Sequence, residues 1–170
     1  MKEITKNPVK YAILTLKVTD PKSKKTLTRG KIVSKCFLLE TREQYYPDGE
    51  IEKSYLVNFP FSDISTYEKT MFTLKPNIGE PNFDSQVKVD KVFDSYEEAQ
   101  VDLERINKSL ERLIRIKSQL SGRNWQEKYI KAMKLFKKNN AICSLFEGRV
   151  LEATKDMEVE EKDKIKIKVD

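Results

Sequence analysis

The sequence predicts an α+β domain: an antiparallel sheet of about five strands over residues 9–93, covered on one face by a C-terminal antiparallel helical hairpin over residues 95–153. Three observations predict it. The apolar period is two as far as Phe93 and becomes 3.6 after Asp94; turn residues punctuate the first half at short intervals; and one Ser-Gly break divides the helical half. The 170 residues suit one domain spanning 1–170, because single cores are typically built from about 100 to 150 residues. Hydrophobic residues make up 38% and charged residues 35%, leaner in core than the usual roughly 45 to 50% apolar. A thin layered fold is expected.

Val9 to Val18 is an aliphatic run too short for an ordinary helix, and Asp20-Pro21 closes it. Lys31 to Leu39 alternates Ile32, Ser34, Cys36 and Leu38 with Val33, Lys35, Phe37 and Leu39, so both faces carry apolar groups and the strand is expected to be central. Tyr46-Pro47-Asp48-Gly49-Glu50 is a turn signature, since Pro presets one φ and Gly accepts a positive one. It leads into Ile51 to Phe59, where Tyr55, Val57 and Phe59 alternate before Pro60 ends the run. Shorter strands are expected at Thr70 to Leu74 and Val87 to Phe93, separated by the Pro- and Gly-containing loop 75–82.

Ser95 and Glu98 have the spacing of a capping box, in which the serine oxygen takes a backbone N–H of the first turn. Ala99, Leu103, Ile106, Leu110, Leu113 and Leu120 then define a buried stripe along a helix to about Gln119, and Ser121-Gly122 stops it. Asn124 and Glu127 repeat the cap spacing, with Trp125, Tyr129, Ala132, Met133 and Phe136 as the facing stripe of a second helix. Residues 154–170 are expected to be a charged tail or, through the alternation of Lys164 to Val169, an edge strand.

Absences narrow the chemistry. The chain has no histidine, which removes His-based nucleophile activation, His-ligated zinc and a His pH switch. Cys36 and Cys143 each sit among apolar neighbours and read as buried thiols. The five glycines stand too far apart for a dinucleotide or phosphate loop. No catalytic residue, metal ligand or cofactor is expected. No stretch approaches the ~18 apolar residues of a membrane span, and the charged N-terminus does not resemble an export signal, so a cytoplasmic protein is expected. The composition, rich in lysine, isoleucine and asparagine, fits an AT-rich gene of a bacterium, phage or plasmid.

Charge is the informative feature. The whole chain carries +6, yet residues 105–138 alone hold eleven cations against Glu111 and Glu127, a net +9, which leaves −3 for the remainder. Arg105, Lys108, Arg112 and Arg115 fall on one helical strip opposite the apolar stripe, and Lys131, Lys134 and Lys138 do likewise on the second helix. Like charges at such spacings repel, whereas a merely solvated face tends to alternate signs. A second basic cluster, Lys22, Lys24, Lys25 and Arg29 with Lys31, lies between the first two strands. Val101 and Ile116 are apolar residues on the basic side of the first helix. Tyr11, Phe37, Tyr55, Phe59 and Phe72 are either core or a base-stacking platform, with core favoured.

The expected function is a small non-catalytic binding protein that engages an anionic partner through the hairpin's basic face, nucleic acid slightly ahead. The main alternative is a protein-interaction module, regulator or inhibitor that meets an acidic protein, or a homodimer, on the same face around Val101 and Ile116. A metal-dependent nuclease built on Asp48, Glu50, Glu52 and Lys53 comes third, because these residues are crowded around one turn.

Overall fold

A computed structural model describes residues 7–74 and 84–169, with side chains at all of these positions except 27, 28 and 158–169. Six strands precede two helices: β1 (Val9–Thr19), β2 (Thr26–Tyr45), β3 (Ile51–Phe59), β4 (Ile64–Tyr67), β5 (Met71–Thr73), β6 (Asp84–Phe93), α1 (Tyr96–Gln119) and α2 (Trp125–Val169). The expected loop 75–82 falls outside the described residues. β4, absent from the expected strands, is four residues long and has no apolar run to announce it. The strands form one antiparallel sheet in the order β4-β3-β2-β1-β6-β5.

The sheet curls until its two edges meet at the turn between β4 and β5. There the Glu68 amide donates to the Tyr55 carbonyl at 3.1 Å on one side, and the Lys69 amide donates to the Val89 carbonyl at 2.6 Å on the other. The Glu68 carboxylate spans the junction, accepting from the Tyr55 amide at 3.2 Å and the Val92 amide at 2.8 Å. One side chain thus satisfies two edge donors that neighbouring strands leave unpaired.

Successive residues of a strand point to opposite faces, and both faces of β1 are buried. Ala12, Leu14, Leu16 and Val18 join Ile32, Cys36, Val57, Phe59, Val87 and Val89 in the main core, where α2 contributes Cys143, Phe146 and Val150. Ile13 on the other face joins Val33 and meets Ala99 and Leu103 of α1. The two helices therefore lie on opposite faces of the sheet. A hairpin covering a single face was the simpler expectation, and the apolar groups on both faces of β1 and β2 are why it fails. β3 pairs with β2 only from Phe37 onward, and α2 packs beside the earlier stretch of β2 that β3 leaves open. The approach is close at Gly30: a Cβ there would collide with Cys143 Sγ.

Tyr11, Tyr55, Phe59 and Phe72 are core or packed against it. The Phe59 and Phe72 rings stack at 5.8 Å, and Tyr11 meets Tyr96 edge-on at 6.0 Å, so these rings are not a free stacking platform. The hairpin connecting β2 and β3 matches expectation: Gly49 has φ +88, its amide donates to the Tyr46 carbonyl at 3.0 Å, and Asp48 accepts from the Glu50 amide.

The Ser95 hydroxyl accepts from the Glu98 amide at 3.2 Å, which makes it the cap of α1, and Gly122 takes φ +77 beyond the helix end. The expected buried stripe is buried only in its first half. Ala99 and Leu103 are covered, whereas Leu110 is 40% and Leu120 81% exposed. Past Ile106 the helix has run beyond the sheet, so its apolar side has only α2 beside it. Residues 154–169 continue α2, so the alternating Lys164 to Val169 segment is helical rather than an edge strand. Its period of two loses to the helix already propagating from Trp125, because adding a residue to an existing helix needs no new nucleus.

Candidate functional site

Each helix presents its cations opposite its buried stripe. On α1, Arg105, Lys108, Arg112 and Arg115 are all exposed. Arg105 is matched to Asp102, with Nη2 2.6 Å from the carboxylate, while among the described residues no acid lies within ion-pair distance of Lys108, Arg112 or Arg115. On α2, Lys131, Lys134 and Lys138 are exposed, with Glu127 the acid one turn earlier on the same strip. Because α1 and α2 pack on opposite faces of the sheet, the two strips do not merge. The single basic face expected of the hairpin is divided between two sides of the molecule.

The α1 strip shares its side with a groove that the sequence did not single out. Thr15 and Lys17 of β1, Arg29 and Lys31 of β2, Gln86, Lys88 and Asp90 of β6 and Met71 of β5 line about 370 Å³. All the β1, β2 and β6 positions here share the strand face that carries Ile13 and Val33, so the groove lies on the α1 side, beyond the end that α1 covers. Register sets its pattern. Arg29 pairs with Lys17 and Lys17 with Gln86 in one row; Lys31 pairs with Thr15 and Thr15 with Lys88 in the next. Neighbouring strands are about 4.8 Å apart and successive rows about 7 Å apart. Like charges directly opposite one another across a sheet are destabilising, so the Lys17–Arg29 pair costs stability in the absence of an anion.

Asp90 is the one acid among the described residues that line the groove. It occupies a bulge, since Leu14 pairs with Val89 and Ile13 with Lys91, leaving Asp90 without an opposite residue. Its carboxylate accepts from the Thr15 hydroxyl and the Lys31 ammonium, both at 2.6 Å, in a pair about three-quarters buried. Lys31 is thereby held in one place, and Lys17, Arg29 and Lys88 face no further acid among the described lining residues. Lys17 and Lys88 carry no signal of their own in the sequence: they stand 71 residues apart, and only the pairing register brings them beside Arg29 and Lys31. The one available signal was the alternation of cations with aliphatic residues along Leu16 to Val18 and Arg29 to Val33.

Of the second cluster expected from the sequence, Arg29 and Lys31 line the groove and the rest lies next to it. The chain reverses between β1 and β2 in a turn held by Asp20, which accepts from the Lys22 amide at 2.9 Å and the Ser23 hydroxyl at 3.0 Å. These bonds, the amide first, hold the Asp20 carboxyl below its ordinary range. Lys24 takes φ 62 there. Lys22, Lys24 and Lys25 are exposed at this tip, two residue pairs beyond the Lys17–Arg29 row.

The apolar residues expected among the α1 cations are open to solvent, Val101 at 67% and Ile116 at 42%. Val101 belongs to a different hollow, with Phe93, Glu97, Glu98, Asp102 and Arg105. The acids of the β2–β3 turn are engaged locally: Glu52 accepts from the Tyr46 hydroxyl at 2.7 Å, which holds its carboxyl below the ordinary range, and Lys53 reaches Glu43 at 3.9 Å. Among the described residues no three carboxylates or thiols come together as a cation site, and no helix is long and apolar enough to cross a membrane. No family model, curated protein or solved structure matches the chain.

Proposed function

We propose that this is a non-catalytic nucleic-acid-binding protein whose contact surface is the α1 side of the sheet, formed by the groove cations Lys17, Arg29, Lys31 and Lys88, the Lys22–Lys25 turn and the α1 strip. The observation that carries the reading is the Lys17–Arg29 pair, two cations placed directly opposite each other in an open groove where the one carboxylate among the described lining residues is already occupied by Lys31. A ligand with a row of phosphates relieves that repulsion and gains affinity from counterion release. Among the described residues the groove has no aromatic lining, so the reading is of backbone contacts, which position a nucleic acid without reading its sequence.

The test is an anisotropy titration with single- and double-stranded DNA and RNA at two salt concentrations. Wild type should bind at low salt and weaken steeply as salt rises. Changing Lys17, Arg29, Lys31 and Lys88 together to Ala should flatten the log K against log salt slope by about 3 to 4 on duplex DNA. No binding at low salt, or an unchanged slope in the variant, overturns the proposal.

The exposed Val101 and Ile116 favour a second reading, in which an acidic protein docks on α1. It is separable by the same titration, because an interface with an apolar centre weakens gently with salt.

A further inference from the structure

The division of the basic surface has a functional consequence. Ile13 and Leu14 are successive residues of β1 and point to opposite faces; α1 packs on the first and α2 on the core that contains the second. The stripe that α2 buries runs from Trp125 and Tyr129 through Cys143, Phe146 and Val150 to Met157 without drifting around the helix. Lys131, Lys134 and Lys138 lie opposite that stripe, so they face away from α1, from the sheet and from the groove. They span about 10 Å of helix axis at 1.5 Å per residue. All three are exposed, and no described acid lies within ion-pair distance of them.

A single nucleic-acid segment seated on the groove and the α1 strip has the packed α1–α2 pair between it and this lysine strip. The α2 strip gives such a complex no added contact with the segment already bound, yet leaves a cationic surface on its far side. We infer that the protein holds two nucleic-acid segments at once, one on the groove and α1 side and one on the α2 strip, and so bridges them. The inference rests on the nucleic-acid reading above and adds to it a second site and an activity, the bringing together of separate strands or duplexes.

Two oligonucleotides that do not anneal, one carrying a donor and the other an acceptor fluorophore, test it with purified full-length protein at low salt. Bridging predicts energy transfer that rises while protein is limiting and falls when protein is in excess, as each segment then acquires a protein of its own. It also predicts saturation at two segments per chain. The triple variants Lys131→Glu, Lys134→Glu, Lys138→Glu and the milder Lys131→Gln, Lys134→Gln, Lys138→Gln should bind a single oligonucleotide within about threefold of wild type and lose the transfer. All six changes are at exposed positions, and circular dichroism checks that the fold is kept. Binding without transfer in wild type, or transfer undiminished in both triple variants, overturns bridging while leaving the nucleic-acid reading intact. Absence of any binding at low salt overturns that reading, and bridging with it.

Discussion

The Lys31 ammonium lies 2.6 Å from the Asp90 carboxylate, across the bulge that places Asp90 in the groove. The only acid among the described lining residues is therefore already matched, and its removal changes the balance of the surface. Asp90→Asn should free one cation and steepen the salt dependence of nucleic-acid binding by about one unit of slope. Anisotropy titrations over a salt series check this; a slope that flattens contradicts it.

Gly30 and Cys143 mark where β2 and α2 come too close for a side chain on the strand. Gly30→Ala should cost about 1 to 3 kcal/mol of stability through overpacking. Cys143→Ala removes the colliding sulfur, so the double variant should recover part of that loss. Urea unfolding of the four proteins gives the coupling directly.

Glu68 joins the two edges of the sheet through the Tyr55 and Val92 amides. Glu68→Ala should cost about 1 to 3 kcal/mol, since it leaves two partly buried donors without a partner. Hydrogen exchange should accelerate at Tyr55 and Val92 ahead of the β1–β2 ladder. Uniform acceleration would mean that the junction is not where the sheet is pinned.

The buried stripe of α1 ends where the sheet does. Leu103→Ala should cost about 2 to 5 kcal/mol, whereas Leu110→Ala, at a position 40% exposed, should cost under about 1.5 kcal/mol. Equal losses in chemical denaturation would place both leucines in one continuous core.

Burial pushes the Cys143 thiol up to about 11, and burial pushes the Cys36 thiol further still. At pH 8 the native protein should react negligibly with a thiol-specific disulfide reagent, and both cysteines should react on unfolding. The unfolded chain ionises first as pH rises above the ordinary thiol value of 9.0, so native stability should fall between about pH 9 and 11. Stability that rises over this window contradicts the assignment.

Local signals carried much of the fold. Ser95 caps α1, Gly122 ends it with a positive φ, and Gly49 turns β2 into β3, because each of these is decided within four residues. β2 extends past its expected ends because pairing with β1 and β3, and not its own apolar pattern, holds Thr26 and Gln44 in line. The helices' division between faces was not legible, since apolar residues on both sides of β1 say that both are covered but not by what. The same holds for the site. The α1 and α2 strips follow from helical spacing, while Lys17, Arg29 and Lys88 become neighbours only through strand register.

Amide and side-chain chemical-shift mapping during titration with a short oligonucleotide locates the surface that meets nucleic acid. The first and largest shifts should fall at Thr15, Lys17, Arg29, Lys31 and Lys88, with Lys108, Arg112 and Arg115 following. Shifts confined to the acidic β2–β3 ribbon, or an unperturbed groove under conditions where the oligonucleotide is bound, would contradict it.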